Sequence, residues 1–167
     1  VWAENLRPHR RGRQLDLVTE ASVGGEVAWL EHSTYLRPGE GSGGRAEPDS
    51  DRFADAKTSA IWELPGDIGR RYAAVSGDRN PIHLHSLAAR LFGFPSAIAH
   101  GMWTCAHALA SLDGRLGPGH TAAVEFRAPL RIPGRGRLRT ARDERGWELA
   151  LESLDGEQRH LELSVTR

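Results

Sequence analysis

The stretch 101–112, which reads GMWTCAHALASL, constrains the fold more than any other part of the chain. Its side chains are small and apolar almost all round, with His107 as the main polar exception. A helix that is apolar on every side is buried in a core. At about 1.5 Å per residue it would be about 18 Å long, which suits a helix that lies across one curved sheet. The sequence therefore predicts a buried central helix.

Segments with the composition of β-strands follow this predicted helix, at 120–129, 136–142, 146–153 and 158–166. Turn residues separate them, and consecutive strands joined by short turns indicate an antiparallel meander. Another strand is predicted at 57–64, and Asp67 and Ser86 are suitable caps for short helices at 68–75 and 87–92. The fold class is therefore α+β, with a buried helix packed against a curved antiparallel sheet.

The first part of the chain has its own pattern. Residues 1–14 are polar and rich in arginine, which indicates irregular structure. Residues 15–20 and 26–36 alternate apolar and polar positions with turn residues between them, so they form a predicted hairpin. Two strands alone are marginal in water, and we expect this hairpin to dock on other structure.

The clearest break in composition is at 38–51, which is rich in Gly, Ser, Pro and acidic residues. It predicts a flexible linker between N-terminal strands at 1–37 and a main domain at 52–167. The GSGG run within it invites comparison with a phosphate-binding loop. It lacks the following Lys-Ser/Thr pair and a preceding apolar strand, which argues against that interpretation.

Composition argues against several classes of function. Lys+Arg and Asp+Glu are both 22, so no global basic field favours nucleic acid or an anionic membrane surface. No apolar run approaches the roughly 20 residues that span a bilayer. The single cysteine, Cys105, has no intrachain disulfide partner and lies in an apolar stretch. We expect it to be a small core residue of a cytoplasmic protein.

The densest group of chemically active residues is at 76–83, which reads SGDRNPIH. Asp78, Asn80 and His83 bring an acid, an amide and an imidazole within six positions. Pro81 fixes its own φ and favours an extended Asn80, so this segment is a stiff loop and not the interior of a helix. Gly77 permits a sharp bend before it.

Two blocks of this sequence resemble the MaoC-like, or hydratase 2, family. They are 72–89, YAAVSGDRNPIHLHSLAA, and 98–102, IAHGM. The resemblance extends over about residues 61–167, strongly in its first half and as a strand pattern in its second. It implies a hot-dog fold, in which an antiparallel sheet wraps around a central helix. It also implies a hydro-lyase, either an (R)-specific enoyl-CoA hydratase or a 3-hydroxyacyl-thioester dehydratase that needs no cofactor.

The same resemblance implies a catalytic pair, Asp78 and His83, and an oxyanion donor, the backbone N–H of Gly101. Hydration of a 2-enoyl thioester puts hydroxide on C3 and a proton on C2, while negative charge gathers on the thioester oxygen. The reaction needs an acid, a base and fixed dipoles at that oxygen. We expect Asp78 and His83 to share one water, which gives syn addition, without deciding which of them leads. Asn80 is expected to orient one of the pair.

Four further residues are predicted to line the substrate site. Ser76 supports the loop, and His100 is a candidate hydrogen-bond donor or acceptor that locks it. Met102 and Trp103 are predicted as core or as wall of the acyl pocket. His85 alternates with His83 and is expected to be structural. Exposed strand arginines such as Arg127 and Arg131 are more often solvated than bound to a CoA phosphate.

Two rival interpretations remain. One is a catalytically silent hot-dog subunit that binds acyl thioesters or supports a partner, although both catalytic positions are intact. The other is a metal site, suggested by the four histidines His83, His85, His100 and His107. No carboxylate follows the His-x-His pair at a suitable spacing, which argues against a metal.

The expected substrate is a thioester of coenzyme A or of acyl carrier protein. The expected assembly is a homodimer or a double hot-dog pairing. Residues 15–36 resemble the last strands of a first hot-dog repeat that has lost its central helix. Such a remnant would leave more of the acyl tunnel uncovered and would favour long acyl chains.

Overall fold

Antiparallel sheets form both of the units into which the chain divides, Val1–Asp49 and Ser50–Arg167. The computed structural model describes residues 1–9, 11–40, 52–117 and 119–166. Most of the predicted linker, at 41–51, therefore lies outside the described residues. Each unit is described by itself below.

The first unit is a three-stranded sheet in the order β1-β2-β3. Its strands are β1 (Trp2–His9), β2 (Gly12–Val23) and β3 (Glu26–Pro38). The predicted hairpin corresponds to β2 and β3. The prediction of irregular structure at 1–14 is wrong, because β1 pairs with β2 along most of its length. The polar composition of β1 lacks the apolar alternation that predicts a strand. Both the backbone ladder and polar side-chain contacts hold it in place.

Those contacts converge on Asp16, which is buried on β2. Its carboxylate accepts two hydrogen bonds from Arg7, at 2.8 and 3.1 Å, and others from Thr34 at 2.7 Å and Asn5 at 3.2 Å. Asn5 has a φ of 54° at the irregular register that separates Glu4 from Arg7. One carboxylate thus links all three strands. The hydrogen bonds from Arg7, and after them that from Thr34, hold the pKa of Asp16 well below its usual range.

We predict that Asp16→Asn loosens β1. A group with a depressed folded pKa stabilises the fold above its unfolded pKa, here about 3.8, and loses that contribution as pH falls towards the folded value. Protection of the β1 amides from hydrogen exchange, relative to an unfolded chain at the same pH, should fall in the variant, and in the unchanged protein below about pH 4. Glu20→Gln, on the exposed part of the same strand, is the control and should have no effect. Unchanged exchange in β1 of Asp16→Asn would contradict this account.

The second unit holds a five-stranded sheet in the order β4-β6-β7-β8-β5. Its strands are β4 (Lys57–Leu64), β5 (Thr121–Phe126), β6 (Gly134–Arg142), β7 (Gly146–Glu152) and β8 (Arg159–Thr166). The meander prediction holds for β6 to β8 but is wrong for β5, which pairs with β8 at the sheet edge. The connection from β5 to β6 contains Pro129 and Pro133. Its backbone forms hydrogen bonds with the segment before α4: the Leu130 carbonyl accepts from Ala99 N–H, and Ile132 N–H donates to the Ala97 carbonyl.

Four helices complete this unit: α1 (Ile68–Ser76), α2 (Pro81–Leu84), α3 (Ser86–Leu91) and α4 (Gly101–Ala110). Gly77 ends α1 in the left-handed conformation, with φ 76°. The two predicted side-chain caps are wrong. Asp67 occupies the N-cap position without a side-chain hydrogen bond, and the N-cap of α3 is His85. The hydroxyl of Ser86 instead accepts a hydrogen bond from Ala97 N–H.

The core forms where α4 packs on the sheet. Leu138, Leu151 and Leu161 face one another across β6, β7 and β8 and are fully buried. Cys105 and Ala108 of α4 belong to the same cluster. Because these two side chains are small, the helix can approach the leucine row closely, and each buried leucine contributes about 2 kcal/mol by removal from water. The predicted α+β class is confirmed.

One face of α4 remains exposed, which corrects the prediction of a helix buried all round. The exposed residues of this helix are Met102, Ala106, His107 and Ala110. Met102 alone is 58% exposed. The prediction counted Ala106 and Ala110 as buried, but alanine is common both in cores and on exposed helix faces. Among the described residues, no helix has the length and apolar character needed to cross a membrane.

The sheet is also covered on its other face. β7 is buried at four successive positions, so both of its faces are shielded. Phe53 and Ala56 pack with Ala150 on the side away from the leucine row. On β8, the buried Glu162 accepts hydrogen bonds from Arg127 at 2.6 Å and Arg159 at 3.0 Å. The sheet is therefore a fixed platform for the loops at its edge.

Candidate active site

A cleft of about 300 Å³ opens beside the N-terminus of α4. Residues from the loop before α4, from α4 itself and from the sheet edge line it. They include His83, Ala99, Gly101, Thr104, Phe126 and His160. The cleft joins the two sequence blocks that were singled out from the sequence.

His83 is held at the cleft by one backbone contact. Its Nδ1 lies 2.8 Å from the carbonyl oxygen of Ile98. A carbonyl oxygen only accepts, so Nδ1 carries the proton and donates. In a neutral imidazole the other nitrogen, Nε2, then has a free lone pair. The fold therefore selects the tautomer of His83 that can accept a proton.

Asp78 lies beside His83. One carboxylate oxygen of Asp78 and one ring nitrogen of His83 are within 4.8 Å of each other. The carboxylate accepts a hydrogen bond from Asn80 N–H at 3.1 Å, which fixes its orientation. The Asp78 side chain is still 53% exposed, so it keeps access to water. The carboxylate and the imidazole are therefore close enough for one water molecule to contact both.

Ser76 and Asn80 hold the loop and do not line the cleft. The Ser76 hydroxyl donates to the Tyr72 carbonyl at 3.0 Å and accepts from Asp78 N–H at 3.2 Å. Asn80 is the N-cap of α2, and its side-chain oxygen accepts from Ile82 N–H at 3.4 Å. The stiff loop predicted from Pro81 is therefore a bend that leads into one short helical turn.

His100 is buried, with 3% of its surface exposed. Its Nε2 donates to the carbonyl oxygen of Asp78 at 3.0 Å, and its ring stacks on His83 with the ring centroids 3.8 Å apart. Burial lowers the pKa of His100, and nearby His83 adds to this effect, although the bond to Asp78 opposes it. Its Nδ1 has no hydrogen-bond partner among the described residues.

The first turn of α4 has no side-chain cap. Its N–H groups, beginning with Gly101, therefore lack intrahelical partners at the edge of the cleft and carry the positive end of the helix dipole. A Cβ at Gly101 would lie 3.0 Å from the ring of Phe126. A side chain at this position would therefore crowd Phe126, whose ring would have to shift by a few tenths of an ångström.

The remaining predicted residues lie elsewhere. Trp103 packs edge to face with Trp62 and stacks with His107, and neither Trp103 nor the exposed Met102 lines the cleft. The residues that do line the cleft include Phe126, Thr104 and His160, and none of them was predicted from the sequence. Their place depends on the long-range pairing of β5 with β8.

Asp78, His83 and His100 also satisfy the distance requirement of a metal site, with ligand atoms within 4.8 Å of one another. His83 Nδ1 donates to Ile98, and His100 Nε2 donates to Asp78. Each ring keeps its second nitrogen, Nε2 of His83 and Nδ1 of His100, so these hydrogen bonds are compatible with metal binding as well as with proton transfer.

Residues 52–148, which are more than half of the chain, match the family described as MaoC like domain. The chain belongs to the MaoC-like domain family. The family resemblance drawn from the two sequence blocks is therefore confirmed.

Two curated relatives are similar to this MaoC-like chain. Over 99% of its length it is 41% identical to 3-hydroxyacyl-thioester dehydratase X of Mycobacterium tuberculosis, of which it covers 60%. Over 36% of its length it is 45% identical to 3-hydroxybutyryl-CoA dehydratase of Methylorubrum extorquens, of which it covers 41%. The chain thus spans less than two thirds of the length of either relative.

Solved structures support the fold. The crystal structure of HtdX from Mycobacterium tuberculosis matches 99% of this chain with a TM-score of 0.75 and 41% identity, and this chain covers 66% of it. The R-hydratase PhaJ1 from Pseudomonas aeruginosa matches 66% of this chain with a TM-score of 0.55 and 24% identity, and 79% of that chain is covered. The predicted hot-dog fold, with a sheet packed around α4, is confirmed.

Gly69 of α1 lies directly against the backbone of the segment that carries His83. A Cβ at Gly69 would overlap the backbone carbonyl of His83. The helix backbone therefore packs directly on the loop, and only glycine permits this approach.

We predict that Gly69→Ala displaces His83. Although alanine is the better helix former, forced overpacking of this kind costs about 1–3 kcal/mol. The free energy of unfolding should fall by that amount. Exchange of the Ile98 amide, which bonds to Ile82 at 3.1 Å, should accelerate. Gly66→Ala is the matched control, because no atom lies nearer than 3.5 Å to its new Cβ. Equal stability of the two variants would refute the close approach.

A pH dependence follows from His100 and His160, whose pKa values burial lowers below the usual 6.5. In the unfolded chain these histidines take up protons near pH 6.5, whereas in the folded chain they do so only at lower pH. Stability should therefore be full above about pH 6.5 and should decline as pH falls below it. Thermal unfolding between about pH 7 and pH 5 measures this decline. His100→Gln should flatten it and the exposed His107→Gln should not; identical profiles for both variants would contradict the assignment.

Proposed function

We propose that this chain catalyses the reversible hydration of 2-enoyl thioesters to (R)-3-hydroxyacyl thioesters. The acyl group would be carried by coenzyme A or by acyl carrier protein, and the enzyme would be a hydro-lyase without a cofactor. The names of two relatives, a 3-hydroxyacyl-thioester dehydratase and a 3-hydroxybutyryl-CoA dehydratase, support this reaction class.

One observation carries the proposal. The Asp78 carboxylate and a His83 ring nitrogen lie within 4.8 Å of each other, and Nε2 of His83 is left without a proton by the bond from Nδ1 to Ile98. A water that contacts both groups has one O–H directed at a nitrogen base and the other at a carboxylate. Hydration of an enoyl thioester requires a water activated in this way.

The proposed step balances with one water molecule. His83 Nε2 accepts one proton as the water oxygen bonds to C3 of the enoyl group. Asp78 accepts a hydrogen bond from the second O–H, which becomes the 3-hydroxyl. The electron pair of the double bond moves towards the thioester oxygen, and C2 then takes the proton from His83. Both additions come from one face, which gives syn stereochemistry, and dehydration follows the reverse path.

The start of α4 supplies the third requirement. Negative charge develops on the thioester oxygen, and the Gly101 N–H with the dipole of a ten-residue helix stabilises it. Loss of one such donor typically costs about 100-fold or more in rate. Ser76, Asn80 and His100 act in this proposal by holding Asp78 and His83, since their side chains form hydrogen bonds with the loop itself.

We also propose that the first unit, with β1 to β3, is the remnant of a first hot-dog repeat. Its sheet has no helix among its described residues, and the relatives are longer than this chain. The catalytic unit would then pair with such a sheet, within the chain or in a homodimer. A first repeat that has lost its central helix would leave room in the acyl tunnel for long chains. The predicted roles of Met102 and Trp103 as wall of that tunnel stay predictions.

We predict that the chain hydrates crotonyl-CoA and a long-chain 2-enoyl-CoA, with the long chain preferred. Loss of enoyl-thioester absorbance measures the rate, and chiral analysis identifies the product. Asp78→Asn and His83→Ala should each lower the rate by at least about 100-fold, because each removes half of the water-activating pair. The exposed His85→Ala is the control and should keep full activity.

Each outcome separates the alternatives. An (R)-3-hydroxy product that depends on both residues establishes the hydratase, and turnover of four-carbon substrates alone would contradict the long-chain proposal. No turnover by a folded chain with either substrate would leave acyl carrier protein substrates to assay next. No turnover with those would favour the alternative, a catalytically silent subunit that binds acyl thioesters or supports a partner.

A further inference from the structure

A second cleft, of about 160 Å³, lies at the opposite end of α4 from the reaction cleft. The segment after α4, the β6–β7 turn and the end of β8 form its walls, with Arg115, Arg142 and Trp147 among the lining residues. None of its residues lines the cleft of His83 and Gly101.

Two guanidinium groups meet at one indole in this second cleft. The Cζ of Arg115 lies 5.8 Å from the ring centroid of Trp147, and that of Arg142 lies 5.2 Å from it. Both arginines are exposed, and neither guanidinium group forms an ion pair or a hydrogen bond with the described residues. Contact with the half-buried ring places both cations beside one indole while leaving their N–H forks free.

The acidic residues of the same turn do not neutralise this pair. The Asp143 carboxylate accepts hydrogen bonds from the backbone N–H groups of Arg145 and Gly146, and it lies 3.4 Å from the guanidinium of Arg145. These bonds, that from Arg145 N–H first, lower the pKa of Asp143 and keep it charged within its own turn. Glu144 is exposed and is the one acidic side chain of the lining whose charge remains to oppose the two free cations.

We propose that this cleft binds a phosphate ester or a diphosphate between Arg115 and Arg142. A phosphate offers three or more oxygens, so it can accept from two guanidinium forks at once, which a single carboxylate does less well. The indole of Trp147 positions both forks before the anion arrives, and this lowers the entropy lost on binding. The site is independent of the chemistry at His83 and serves free phosphate compounds or the phosphorylated end of a larger ligand.

Isothermal titration of the full chain with pyrophosphate at low ionic strength tests the site. We expect saturable binding that weakens with added salt. Arg115→Ala and Arg142→Ala should each weaken it about tenfold, which corresponds to the loss of one charge-assisted contact, about 1.4 kcal/mol. Arg145→Ala is the matched control, because Arg145 carries the same charge in the same turn but is paired with Asp143. Glu144→Gln should tighten binding.

A second titration uses adenosine 3′,5′-bisphosphate in place of pyrophosphate. It distinguishes a site for the phosphorylated end of a nucleotide-type ligand from a site for simple phosphates. Tighter binding than pyrophosphate would assign the site to a nucleotide-type end group, and equal binding would assign it to simple phosphates. The proposal is overturned if the unchanged chain shows no saturable binding, or if Arg145→Ala weakens binding as much as Arg142→Ala does. The latter result would mean attraction by general surface charge only.

Discussion

Two reciprocal hydrogen bonds between side chains and backbone determine the geometry of the candidate site. His83 donates to the carbonyl of Ile98 at 2.8 Å, and His100 donates to the carbonyl of Asp78 at 3.0 Å. Each histidine thus belongs to one of the two segments and binds the backbone of the other. Because backbone carbonyls are fixed by the fold, these bonds position both rings more firmly than bonds between two mobile side chains would.

These bonds depend in turn on structure outside the motif. The segment before α4 is held by Ala99 N–H, which donates to the carbonyl of Leu130 at 2.8 Å, and by Ile132 N–H, which donates to Ala97 at 2.9 Å. The connection from β5 to β6 therefore serves as an anchor for the site. This explains why β5 leaves the meander: its chain continuation passes beside the loop and only then enters β6. The site is a product of long-range pairing, although its motif is local.

The same distinction separates what the sequence predicts from what it does not. Gly77, Pro81 and Asn80 act through their own φ angles and side-chain bonds, so the bend, its stiffness and its position follow from sequence alone. The place of β4 and the strands β6 to β8 follow from alternation and turns. The pairing of β5 with β8, and with it the presence of Phe126 and His160 in the cleft, does not, because register between distant strands leaves no local signal. β1 was not predicted because side-chain hydrogen bonds to Asp16, and not a row of apolar residues, hold it on the sheet.

The two stacked histidines, His83 and His100, differ in burial. Their ring centroids are 3.8 Å apart, and two positive charges at that distance would repel by about 4 kcal/mol at an effective dielectric constant of 20. The stacked arrangement therefore disfavours two positive charges at once. His100 is 3% exposed and burial lowers its pKa, so the His100 ring resists taking up a second proton. In the proposed reaction His83 carries the proton, while His100 donates its own N–H to the loop. Both are histidines in matching motifs, and the difference in their proposed roles comes from solvent access, a property of the folded chain and not of either motif.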